Sequence, residues 1–104
     1  MSVISVYALF ADSAEAERVG RLMVEERLAA CVNILPGVHS IYRWEGSVET
    51  ADEVAAIFKT SNDRADALIT RIAGLHSYDV PCIATWPIDK ILAPYAEWVE
   101  GSVR

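Results

Sequence analysis

Cysteine occurs twice, at Cys31 and Cys82, in separate apolar contexts and without C-x-x-C spacing. A disulfide scaffold and a zinc-finger pattern are thereby excluded, and a buried small hydrophobe is the default role for each thiol. The five glycines are scattered and form neither G-x-G-x-x-G nor a Walker loop, so no phosphate-cradling turn is encoded. Basic residues number 9 against 15 acidic ones, for a formal charge of −6 with no basic stripe, which argues against any nucleic-acid partner. No run reaches the roughly 18 apolar residues of a membrane span, so no membrane partner is expected. The opening MSVISVYALF lacks the basic start and long apolar core of a secretory signal, and the expected compartment is the cytoplasm.

What remains is ordinary globular material. Hydrophobic residues make up 53% and charged ones 23%, without repeats or polar low-complexity blocks, which implies one domain over residues 1–104. Val3 to Phe10 is apolar and strand-prone and ends at Asp12-Ser13, either of which can cap a helix. From Ala14 to Leu28, Ala16, Val19, Leu22 and Met23 recur at helical spacing, while Glu15, Glu17, Arg21 and Glu25 fill the other side. Ala30 to Leu35 reads as a strand continued by Val38 to Trp44, with Val38, Ser40, Tyr42 and Trp44 on one face. Glu45-Gly46 supplies a turn, and Val48 to Thr60 returns as a third strand. Arg64 to Gly74 is a second amphipathic helix, Ile83 to Trp86 a fourth strand, and Pro94 opens a final helix bearing Tyr95, Trp98 and Val99.

The order β-α-β-β-α-β plus a terminal helix predicts an α+β, ferredoxin-like fold with a long hairpin between strands two and three. Strands two and four are then the sheet edges. Proline lacks an N–H and glycine permits a bend, so Pro36-Gly37 marks strand two as a bent edge. A long apolar edge left open invites aggregation, and a neighbouring copy is the natural cover. Pairing edge two of one copy with edge four of the next is heterologous and must close into a ring, of which a homotrimer is the smallest. Pro36, Gly37, Tyr42, Trp44 and Trp98 are the expected interface residues.

The blocks LAACVNILPGVHSIYRWEG (Leu28 to Gly46), FKT (Phe58 to Thr60), HSYDVPCI (His76 to Ile83) and YAEW (Tyr95 to Trp98) resemble the CutA family of divalent-cation tolerance proteins, in the family's order and through most of the chain. The resemblance implies a ferredoxin-like subunit, edge-paired homotrimers, a name derived from sensitivity to copper and other divalent metals, and no established catalytic reaction. It also implies an intersubunit pocket, carried over here onto Trp44, Lys59, His76, Tyr78 and Asp79, with Cys31 in the most recognisable block. The match is not complete. Copper ligands proposed in some members fall where this chain has Ala8 and Leu75-His76. The family commonly shows H-P-Y-E-V-P-E-I where Ser77, Asp79 and Cys82 stand here. Ser47 replaces the usual lysine after WEG, and the glycine after the PI segment is absent.

Copper favours thiolate and imidazole, so Cys31, Cys82, His39 and His76 are the soft or borderline ligands available, of which His76 and Cys31 are the metal candidates. Cys31 and Cys82 are expected on opposite edges of one subunit. For His76 the competing assignment is structural: it caps the second helix and bonds a backbone carbonyl. Lys59, at the end of an apolar strand, calls for a salt bridge to Asp79 or Glu53, or for a bound anion. His39 is expected to face solvent or a neighbouring subunit. The expected function is a trimeric, non-enzymatic protein that requires no cofactor and binds a small ligand or relays a signal at its clefts. Two alternatives stand beside it: sequestration of copper or another divalent cation through Cys31 and His76, and an enzyme using His76 as general base.

Overall fold

The computed structural model describes residues 2–104. Seven elements follow one another: β1 (Val3–Phe10), α1 (Ser13–Glu25), β2 (Cys31–Trp44), β3 (Ser47–Ser61), α2 (Asn62–Leu75), β4 (Ile83–Pro87) and α3 (Ala93–Ser102). The strands form one antiparallel sheet in the order β2-β3-β1-β4, which makes β2 and β4 the edges and gives the expected ferredoxin-like arrangement.

Strand periodicity divides the sheet into two faces. Val6, Ala8 and Phe10 of β1 and Val54, Ala56 and Phe58 of β3 point to the side covered by α1 and α2, where they pack with Ala16, Val19, Met23, Leu68 and Ile72. Each fully buried large side chain in this layer contributes about 1.5–3 kcal/mol relative to exposure. Gly20 lets α1 approach β2 closely, since a Cβ there would lie 2.9 Å from Val32 Cγ1. The opposite face is partly covered by α3, through Val99 and Val103 against Val3 and Ala30. Beyond α3 that second face carries no helix among the described residues: Tyr78 reaches its Glu53, and Leu35, Tyr42, Trp44 and Trp86 stay exposed on it.

Pro36-Gly37 does interrupt the ladder. Leu35 pairs with Ala55 and Val38 with Glu53, so Pro36 and Gly37 together lie opposite Val54 alone, a β-bulge with Gly37 at φ +90°. The extra residue reverses the alternation beyond it. Cys31, Asn33 and Leu35 share the open face with Lys59, Ile57 and Ala55, and after the bulge Val38, Ser40, Tyr42 and Trp44 join that same face. The hairpin closes with Trp44 opposite Ser47 through Glu45 (φ 47°) and Gly46 (φ 83°), the signs of a two-residue type I′ turn.

Helix boundaries differ from the periodicity. Helix α1 ends at Glu25 rather than Leu28, because Arg27 turns left-handed at φ 60° and the Leu28 and Ala29 N–H groups fold back onto the Met23 carbonyl. Helix α2 starts earlier, at Asn62, and runs past Gly74 to Leu75, where extended backbone at His76 stops it.

Candidate functional site

The chain turns out of α2 at His76 and passes the end of β1, where a buried polar cluster forms. His76 Nε2 lies 2.7 Å from the Leu9 carbonyl oxygen, and the Tyr78 N–H donates to His76 Nδ1 at 3.0 Å. A carbonyl only accepts and a backbone N–H only donates, so the ring is neutral with its proton on Nε2. The side chain is wholly buried, stacked on Phe10 with ring centres 4.8 Å apart and tilted against Tyr78 at 4.9 Å.

Glu15 fastens this loop to the first helix. Its carboxylate accepts from Ser77 N–H at 2.9 Å, Ser77 Oγ at 3.0 Å and Ala11 N–H at 3.3 Å, while its own N–H donates to Asp12 Oδ1 at 2.8 Å. The pattern is close to a capping box. Burial pushes the Glu15 carboxyl up, but the hydrogen bonds from Ser77 and Ala11 outweigh it and hold the group below the usual carboxylate range. Periodicity predicts Glu15 on the solvent side of α1, whereas the bonds from Ser77 and Ala11 draw it inward and leave it 3% exposed.

Tyr78 extends the cluster to β3, its hydroxyl donating to Glu53 Oε2 at 3.0 Å. Burial, then the bond to Glu53 and its charge, push the phenol up to about 12. Glu53 is itself buried, beyond the end of β1, so the loop takes the place a longer first strand would have filled.

The five expected pocket residues thus divide. His76 and Tyr78 meet. Asp79 follows them but is exposed, and Trp44 sits half-exposed at the hairpin end beside Ser47. Lys59 is half-buried at the other end of β3, paired across the ladders with Cys31 and Ser5. The expected salt bridge from Lys59 to Asp79 or Glu53 is absent among the described residues, and Glu53 stands six positions away along the same strand. Cys31 lies 3.5 Å from the Tyr95 hydroxyl, at the sheet end away from the His76 contact on Leu9. His76 and Cys31 are therefore not brought together as metal ligands, and both His76 nitrogens are engaged within the chain. Among the described residues no three His, Cys, Asp or Glu side chains converge as a metal set. The same burial withholds His76 from a substrate as general base.

His39 is exposed, its Nδ1 2.9 Å from Asp52 Oδ1 across the ladder. Of the expected interface residues, Pro36 and Gly37 form the exposed bulge, and Tyr42, Trp44 and Trp98 are 39%, 43% and 50% exposed. Two surface depressions, of about 490 Å³ beside Leu28 and Arg71 and about 280 Å³ beside Gly20 and Val32, lie on the helical side, away from this cluster. The sequence assigns no site role to Glu15 or Ser77, and it offers Glu53 as a partner for Lys59 rather than for Tyr78. The D-x-x-E spacing of Asp12 and Glu15 is a capping signal that would have turned Glu15 back toward the helix start.

Comparison with known proteins gives a consistent picture. A family described as "CutA1 divalent ion tolerance protein" matches residues 4–102. "Protein CutA 1, chloroplastic" of Oryza sativa subsp. japonica is 40% identical over 101 residues, which is 97% of this chain and 57% of that protein, so the chain spans little more than half of this relative. The structure of CutA from Xylella fastidiosa superposes with a TM-score of 0.97 at 36% identity and covers 100% of both chains. One from Archaeoglobus fulgidus, described as a periplasmic divalent cation tolerance protein, has a TM-score of 0.95 at 35% identity, over 98% of this chain and 99% of that one.

Proposed function

Because this chain belongs to the CutA1 divalent ion tolerance protein family, we propose that it works as a cytoplasmic, non-enzymatic homotrimer whose intersubunit clefts hold a small ligand or relay a signal in the response to metal ions. The observation that carries this reading is the open side of the sheet. Leu35, Tyr42, Trp44 and Trp86 stand 39–45% exposed on that one face, and among the described residues each edge strand is paired on one side alone. Large apolar groups gathered beside unpaired strand edges are covered in soluble proteins, and a ring of three copies covers them with one repeated contact.

The dispersal of the implied pocket residues supports the same assembly. Trp44, Lys59 and the Tyr78-Asp79 loop are separate in one subunit, and a contact between copies is what would gather them. The Glu15 and His76 cluster then has a supporting role, holding the loop that offers Tyr78 and Asp79 to the cleft. No cofactor is required in this reading, and sequestration of copper or another divalent cation through Cys31 and His76 is the competing one, disfavoured because one subunit holds those residues apart.

Native mass spectrometry of the purified protein tests this in one spectrum. A trimer free of stoichiometric metal is the expected result. A trimer retaining copper overturns the ligand reading in favour of sequestration, and a monomer overturns the assembly.

A further inference from the structure

Two charged side chains on one face of β3 lack a counter-charge among the described residues. Lys59 is half-buried, whereas the other eight of the 9 Lys and Arg residues are exposed, and among the described residues it enters no ion pair. Glu15 and Glu53 are the buried acidic residues. Glu15 receives three hydrogen bonds, but Glu53 receives one, from Tyr78, and has no cation beside it among the described residues. A partly desolvated ammonium and a buried carboxylate both carry a cost that an opposite charge offsets. They cannot relieve each other in one subunit, because positions 53 and 59 lie about 20 Å apart along the strand.

We propose that Lys59 of one copy pairs with Glu53 of the neighbouring copy, so that the open sheet face is the surface the copies bury and this charge pair sets its register. The inference rests on the assembly proposed above. A second copy is favoured over a free ligand because it supplies both missing charges in one contact, whereas an anion at Lys59 or a cation at Glu53 answers only one. The exposed Leu35, Tyr42, Trp44 and Trp86 on the same face give that contact its apolar surround. Asp79 is exposed and already solvated, so nothing compels it to find a cation.

A double-mutant cycle decides the matter. Trimer dissociation on dilution is followed by native mass spectrometry for the wild type, Lys59→Gln, Glu53→Gln and the double variant, with circular dichroism checking that each folds. Gln at position 53 keeps an acceptor for the Tyr78 hydroxyl. Each single change should weaken association about tenfold or more, and the double should be no weaker than the worse single. The reversal Lys59→Glu with Glu53→Lys should recover association lost in either reversal alone. Losses that simply multiply in an intact trimer overturn the ion pair and leave the assembly standing, whereas a monomeric wild type overturns both. A wild-type trimer that retains a bound anion, lost in Lys59→Gln but kept in Glu53→Gln, also overturns the pair.

Discussion

Glu15 shows how one side chain can bind together parts of the chain that are remote in sequence. Its carboxylate joins the start of α1 to Ser77, and Ser77 can offer its N–H only because it is not the proline common at that place in the family. The bonds also fix the loop in which a neutral His76 accepts from Tyr78. Since the folded-state pKa of Glu15 is depressed, its stabilisation is fully present above the unfolded value of about 4.5 and is lost as pH falls through the folded value. Glu15→Gln should therefore unfold at lower urea than the wild type at pH 7, by about 1–3 kcal/mol. The gap should narrow as pH falls below about 4.5, where the unfolded chain takes up the proton, and close once pH passes the lower folded value. Urea titrations at pH 7 and pH 3 check both the size and the sign.

At the scale of elements, the bulge in β2 decides which way the hairpin faces. Without the extra residue, Tyr42 and Trp44 would point to the helical side, away from Lys59 and Glu53. Gly37→Ala should cost about 1–2 kcal/mol, because a Cβ is strained at φ +90° even though no atom crowds it. Chemical denaturation measures the loss, and an unchanged midpoint would mean that the bulge relaxes at no cost. This feature was legible beforehand, because proline inside an apolar strand has few permitted places. The length of α1 was not: Leu28 keeps the helical spacing because it still packs on the core, while the reversal at Arg27 leaves no mark on hydrophobic period. The buried roles of Glu15 and Glu53 were hidden for a different reason. Their partners Ser77 and Tyr78 lie 62 and 25 residues away, beyond any local pattern.

The whole subunit measures 45 × 26 × 22 Å, elongated by the paired strands that run beyond the helices. From Ile41 to Thr50 every residue of that arm is exposed, and a two-stranded ribbon without a third strand or helix against it is marginal in water. If neighbouring copies support it, the thermal midpoint should rise with protein concentration. Calorimetry over a hundredfold range of concentration checks this, and a constant midpoint would mean that the arm stands unaided. The sheet order has a separate consequence for the newly made chain. Of these seven elements β1 is made before either of its partners, and β4 is the sixth in order. That strand must wait through five further elements before its second side is closed, so the slowest step of folding is expected at the β1–β4 seam, the pairing with the longest loop to close.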